Sequence, residues 1–566
     1  MENIVDPKQK WLFDPISARF SPVAMRRLSE DWPGFFRACI LELMPVKEVG
    51  SSFSKIMGRP TKELHSACGL LLLMEYNDWT VEEAADAYMF DSRVQFALNL
   101  GLDCNSMSTR TVERYQRVFR DKELAQEMMD RVTRRLVDLL ELEVDRLRLD
   151  STHVFSDMAT FGRTRLMMTV TRRFMIQLKR HDSKSYHGLD RELRERYDKR
   201  NWEFGKKGGK VPSRDDVAKD MHFLIGAYEN NERIASRPSF KDLVRVFGEQ
   251  CELVGDKVTV RKKTGAGTLQ NPSDPDATYD AHKGPGYKVQ VTETCSAENE
   301  VQLIVDAIPE TACEPDANAV GKVLENLEEA GIETDSIAAD TAYGGDGNYV
   351  NCQEKGIELI SPVLQGSMIE GRVELQEFEI NENGCIERCP EGCVPIRAWN
   401  DEEKKRGGAA FAREVCGACP RLKLCRVRTT GSNYYTYHSD RELRIVTRKR
   451  RMNTEEGREL YAKRSGIEAL FGTAKRSVGL KRLRVRGRSS VFHSILLKMI
   501  GINVMRAAKS EKIRSIVSEI LAKWPILGVI ERMTHRFRTT VNHVRAPERQ
   551  SNSLWTRSST RGVLAQ

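Results

Sequence analysis

The sequence predicts an α/β protein with an all-helical leading segment and two insertions in its sheet-forming part. Three observations carry this. Residues 1–125 place apolar residues at helical spacing behind capping residues. Short alternating or apolar runs at 144–153, 286–308 and 335–340 read as strands, and a helical pattern at 315–331 lies before the last of them. Two stretches break that pattern: about 160–275, helical and then polar, and 365–450, which collects six of the 13 cysteines.

The chain of 566 residues is long enough for three or four domains, or for one large domain with insertions. Its 40% hydrophobic content suits a globular core. The apolar run "LLLLM" (70–74) falls far short of the ~18 residues a membrane span needs, so no membrane partner is expected. "MENIVDPKQK" has no apolar secretory stretch, and the expected location is cytoplasmic. The boundaries read as 1–125 (helical, a DNA-end reader), 126–364 (first part of the sheet core, with its insertion at about 160–275), 365–450 (Cys-rich insertion), 451–510 (closing helices) and 511–566 (a basic tail, partly disordered).

Charge is distributed unevenly. Residues 441–488 carry 16 Lys or Arg against five Glu, a net of +11, whereas the whole chain carries only +9. A surface for a polyanion fits this excess, with a solvated helical face as the plainer alternative.

In chain order, "TVEEAADAYM" opens with Thr80 and Glu83 in capping-box spacing. "SMSTRTVERYQRVF" (106–119) follows as a helix bearing Arg110, Arg114 and Arg117, as a helix-turn-helix reader would, although generic packing gives the same pattern. "VDRLRLDSTH" reads as a strand ending near Asp150, and "GKKGGKVPS" (205–213) as a turn without phosphate-loop spacing. "GYKVQVTET" and "EVQLIVDAI" are strands. "PDANAVGKVLENLEEAG" is a helix capped by Asp316 and stopped at Gly331, and "DSIAAD" is a buried strand ending at Asp340. "NTEEGRELYAKRSGIEALFGTAK" is a helix capped by Thr454, with Tyr461, Arg464, Glu468 and Lys475 along one stripe. If the strands ending at Asp150 and Asp340 pair, the two carboxylates emerge side by side. A helix over that edge can then bring Glu468 to the same point, a hard-oxygen set suited to Mg²⁺ or Mn²⁺. Each residue alone has an ordinary explanation: a turn cap, a helix cap, or an ion pair of Glu468 with Arg464.

The six clustered cysteines offer Cys389, Cys416, Cys419 and Cys425 as a tetrahedral thiolate set for structural Zn²⁺, with Cys385 and Cys393 as alternatives or bystanders. Reduced, unligated thiols are the competing reading. Trp399, in the same insertion, is a candidate to stack on a base opened at a DNA hairpin, or an ordinary packing residue.

These residues resemble the DDE transposases of bacterial insertion sequences. "YAKRSGIEALFGTAK" fits their Tyr-x2-Arg-x3-Glu-x6-Lys signature, "LRLDSTHVFSDMA" looks like their first Asp motif and "AADTAYGGDGN" like their second. The helical N-terminus with "GRP" (58–60) and the "CP-x-G … C-x2-CP" pattern resemble one subgroup. The resemblance implies a ribonuclease-H-like mixed sheet with flanking helices, and two divalent ions on Asp150, Asp340 and Glu468. It also implies cleavage at element ends followed by strand transfer. Tyr461, Arg464 and Lys475 would contact DNA phosphates, with Arg476 and the run Lys481, Arg482, Arg484 and Arg486 extending that contact. The implied partners are double-stranded DNA at terminal repeats, target DNA and a second copy of the chain, at the nucleoid. A catalytically inactive DNA-binding protein and a structure-specific nuclease on the same fold are the alternatives.

Overall fold

The computed structural model describes residues 2–522 except 9–15, 17, 102–105, 199–201, 205–210, 256, 365–370 and 402. Residues 205–210 of the stretch read as a turn (205–213), Cys104 and the residues beyond 522 therefore lie outside the described residues. Of the segment 511–566 expected to be a partly disordered tail, Glu511–Ala522 is a helix.

A six-stranded mixed sheet is at the centre. Its strands are β1 (Arg146–Val154), β2 (Thr278–Asp280), β3 (Gly284–Thr294), β4 (Ile304–Thr311), β5 (Ser336–Ala339) and β6 (Glu358–Ile360). The order is β2-β3-β1-β5-β6, and β4 shares the outer edge of β3 with β2. β1 runs antiparallel to β3 and parallel to β5. The parallel register sets Leu149 against Ala339, so the next residues, Asp150 within β1 and Asp340 just past the end of β5, are neighbours.

Two cores cover the sheet. On one face, Leu147, Leu149, Ile337 and Ala339 meet Val320, Val323, Leu324 and Leu327 of helix Ala319–Ala330. On the other, Val289, Val291, Ile304 and Ala307 join a larger core with helices Leu64–Tyr76, Leu124–Leu140, Gly466–Ser477 and Arg488–Ala507. Helix Arg488–Ala507 is buried along most of its length, which explains why it is nearly all apolar from Ile495 to Val504. Among the described residues no single helix is long and apolar enough to cross a membrane.

Two local expectations hold: Thr80 and Glu83 form a reciprocal capping box, and Gly331 ends its helix in the left-handed region at φ 70°. The expected helix at 106–119 is Thr109–Asp121, capped by Ser108. Other expectations do not hold. β1 runs four residues past Asp150, because Thr152 and Val154 are good strand residues paired with Val289 and Tyr287. Asp316 does not cap its helix; it lies in a 3-10 turn, and its carboxylate bonds Lys288 and Gln290 instead. The polar half of the first insertion contains helices Arg214–Tyr228 and Pro238–Gln250. Val217, Met221, Leu224, Phe240 and Leu243 from these pack on Met167 and Phe174 of helix Arg163–His181 in a separate core. β6 was not anticipated: its three residues are too few to show a period.

Candidate active site

Asp150 lies mid-strand on β1, and its own carboxylate accepts from the Ser151 amide at 2.8 Å. Asp340 follows β5 directly. Its side chain caps the 3-10 turn Thr341–Tyr343 by accepting from the Ala342 amide at 2.7 Å. That turn is clamped from outside by helix Asp440–Asn453. Arg444 grips Asp346 with two nitrogens at 3.0 and 2.6 Å, and buried Arg448 donates to the carbonyls of Gly344 (3.0 Å) and Ser361 (3.3 Å). Arg451 of the same helix pairs with Glu358 at 3.0 Å and also with Glu456. Much of the positive charge of 441–451 therefore holds the Asp340 turn and its surroundings in place.

The stripe from Tyr461 to Lys475 is not one helix. Glu455–Ala462, capped by Thr454, gives way to a 3-10 turn at Lys463–Ser465, and helix Gly466–Ser477 follows. The start of that last helix sits on β1 through Arg148. This buried guanidinium pairs with Glu293 at 2.7 Å and donates to the Lys463 carbonyl at 3.0 Å. The docking brings Arg464 Nη1 to Asp150 at 2.7 Å, both largely buried, with Glu468 4.0 Å from Nη2 of the same guanidinium. Glu468 itself is 71% exposed.

Burial pushes the Asp150 carboxyl above its ordinary range and the neighbouring Asp340 charge adds to this, against the Ser151 amide and Arg464. Lys475 is half-buried and is pushed down by burial, then by the charges of Lys283 and Lys481. Lys283, in the turn between β2 and β3, is a member of this basic cluster that sequence reading missed; nothing in "AHKGPG" marks it except its place in the fold. Arg148, Arg444 and Arg448 were missed for the same reason.

The run 481–486 lies alongside the chain leaving β1. Phe155 donates to the Lys481 carbonyl at 3.1 Å and accepts from the Leu483 amide at 2.8 Å, and Asp157 donates to the Val485 carbonyl at 2.8 Å. Leu480 and Leu483 point into the core, which leaves Lys481, Arg482, Arg484 and Arg486 exposed. Arg476 is exposed too, and Arg484 pairs with Asp78 at 3.2 Å.

In the second insertion, Cys389, Cys416, Cys419 and Cys425 line one cavity of about 170 Å³ together with Cys393; Cys385 is elsewhere. Burial and the four thiols around it raise Cys416 to about 11. Among the described residues no two cysteines are joined in a disulfide. Nor, among them, is any group of three or more His, Cys, Asp or Glu gathered so as to hold a metal ion; at the carboxylates, Arg464 contacts both Asp150 and Glu468.

No curated protein matches the chain. A solved structure described as a "piggyBac transposase synaptic complex with hairpin DNA" is similar at 9% identity over 69% of this chain and 86% of that one, with a TM-score of 0.21, too low to bear on the fold. Residues 388–508, the segment bearing the insertion's zinc-candidate cysteines, Arg464, Glu468 and Lys475, match the family described as "Transposase DDE domain".

Proposed function

We propose that this protein is a metal-dependent DNA transposase with a ribonuclease-H-like core, cutting at the ends of an insertion sequence and joining them to target DNA. The observation that carries the reading is the β1–β5 register, which sets Asp150 beside Asp340 beneath an arginine that also reaches Glu468. The carboxylates form an all-oxygen donor set of the kind Mg²⁺ and Mn²⁺ prefer, and Asp150, raised first by burial and then by the Asp340 charge, is a carboxylate that a bound dication would stabilise in its charged form. Asp150, Asp340 and Glu468 would hold the ions, which when bound activate a water or 3′-hydroxyl and stabilise the leaving oxygen. Arg464 keeps Asp150 oriented and neutralised until then. Lys475, Lys283 and Lys481 draw a phosphate towards the carboxylates, and Tyr461, Arg476, Arg482, Arg484 and Arg486 extend the track for terminal-repeat DNA. Two ends cut together call for two copies of the chain on DNA, a complex expected at the nucleoid.

The thiol-lined cavity supports a structural Zn²⁺ on Cys389, Cys416, Cys419 and Cys425, since four soft sulfur donors suit zinc and the insertion's own core is small. Purified chain should then carry about one zinc, lost in Cys416→Ser/Cys419→Ser together with a lower melting temperature. Metal-free protein of unchanged stability would remove the zinc proposal.

A second reading has one observation in its favour. Glu468 points outward while Arg464 occupies Asp150, an arrangement that also suits a protein that binds DNA without cutting it. Cleavage and strand transfer on DNA carrying the element ends, in Mg²⁺ or Mn²⁺, decide between them. Asp150→Ala, Asp340→Ala and Glu468→Ala should each abolish both steps and leave DNA binding intact. Binding without cutting by the wild type would support the second reading, and cutting without joined products would point to a nuclease.

A further inference from the structure

The second insertion contains a four-stranded antiparallel sheet in which β7 (Arg397–Asp401), β8 (Arg406–Phe411), β9 (Arg428–Thr430) and β10 (Asn433–Ser439) lie in the order β7-β8-β10-β9. Directly paired residues share a face. One face is closed: Ala409, Phe411, Thr436 and His438 are buried. The register places Trp399, Gly408 and Tyr437 in one row on the opposite face, and Arg397, Ala410, Tyr435 and Arg428 in the next. Arg406 stands in a third row.

On this outer face Tyr437 is exposed and Trp399 and Tyr435 are half-buried. Tyr435 and Tyr437 are nearly parallel at 11°, with ring centroids 6.3 Å apart, and Trp399 meets Tyr437 edge-on at 6.0 Å. Gly408 lets the indole lie across the sheet, since a Cβ there would come within 2.8 Å of the Trp399 ring. Tyr437 is 54% exposed. The Arg397 guanidinium lies 5.7 Å from the indole centroid, and Arg406 and Arg428 flank the rings. All three arginines are exposed, and among the described residues none has a carboxylate at ion-pair distance. The only acid in these rows, Asp401, pairs with Lys404 at 2.9 Å.

We infer that the outer face of the β7-β8-β10-β9 sheet, built on Trp399, Tyr435 and Tyr437 with Arg397, Arg406 and Arg428 around them, binds single-stranded nucleic acid. Flat rings offer stacking partners to unpaired bases, and the exposed guanidinium groups around them offer charge to the backbone. Duplex DNA cannot use the rings, because its bases are already stacked on one another. Every base has a π-face, so the site tolerates sequence. It lies outside the carboxylate cluster and needs no divalent ion, so it stands whether or not the chain cuts DNA.

The test is fluorescence anisotropy on the full chain, with labelled oligo(dT) and a duplex of equal length, without added divalent cation. Wild type should bind oligo(dT). Trp399→Ala and Tyr437→Ala should each weaken that binding by about 5- to 100-fold and change duplex binding by less than about 2-fold, with Tyr437→Phe close to wild type. Equal losses on both probes, no loss on either, or no binding of oligo(dT) by wild type would overturn the inference. Should the alanine variants fail to fold, photo-crosslinking of iodouracil-substituted oligo(dT) to wild type keeps it testable. Crosslinks should map to residues 397–437, and crosslinks confined to other residues would overturn it.

Discussion

Gly466 shows what single residues contribute to the site. It opens the helix that carries Glu468, and a Cβ there would fall 1.9 Å from Arg148 Nη1. That guanidinium is the partner of Glu293, which is fully buried. In an ordinary helix, Gly→Ala stabilises by up to ~1 kcal/mol. Here Gly466→Ala has to dislodge Arg148 and loosen its grip on a buried carboxylate, for which the cost is about 2–4 kcal/mol. The predicted sign is therefore reversed: urea denaturation should show a lower midpoint for Gly466→Ala, and a higher one would mean Arg148 does not seat this helix. The pairing of Arg464 with Glu468 was legible in the sequence because their i,i+4 spacing is local. Arg148 and Gly466 were not, because their roles exist only where β1 and a helix more than 300 residues later meet.

At the scale of elements, β4 carries a titrating group between two layers. Asp306 accepts from Asn326 of helix Ala319–Ala330 at 3.0 Å, and its other oxygen, Oδ2, is buried without a hydrogen-bond partner among the described residues. Burial raises it to about 7, and the Asp130 charge from helix Leu124–Leu140 adds to this. A carboxyl raised in the folded state holds its proton there at pH values where the unfolded chain has lost it. Its contribution is therefore fully present below the ordinary Asp range near 4 and is lost as pH rises towards 7. The loss amounts to at most roughly 4 kcal/mol for a shift of this size. Asp306→Asn should remove that slope, so the variant should melt higher than wild type at pH 8 and close to it at pH 4, by scanning calorimetry. A wild-type slope retained in Asp306→Asn would place the titration elsewhere. Strand pattern predicted β3, β5 and the helix Ala319–Ala330, since each is long or apolar enough to show its period. It could not predict that Asp306 would face inward, because that parity depends on how β4 pairs with β3.

Across the whole molecule, the sequence located the excess positive charge correctly but could not say which cations are already paired. In 441–451, Arg444, Arg448 and Arg451 have internal partners in Asp346, two carbonyls, and Glu358 with Glu456. In 475–486, the backbone pairing to Phe155 and Asp157 turns Leu480 and Leu483 inward and leaves Lys481, Arg482 and Arg486 exposed, close to the strand bearing Asp150. The two halves should therefore respond differently to salt. Each phosphate contact on duplex DNA contributes about 0.9 to the slope of log affinity against log salt. If all three exposed cations meet phosphates, the triple variant Lys481→Ala/Arg482→Ala/Arg486→Ala should flatten that slope by about 2.7, with folding stability nearly unchanged. Arg444→Ala should do the opposite, lowering stability by about 1–3 kcal/mol through the loss of its bidentate grip on Asp346 while the slope stays near wild type. Equal effects of both variants on the slope would mean the basic segment acts as diffuse charge, and the division between clamp and track would fall. An unchanged slope in the triple variant would move the DNA track away from this strand, and with it the path that leads phosphate to Asp150 and Asp340.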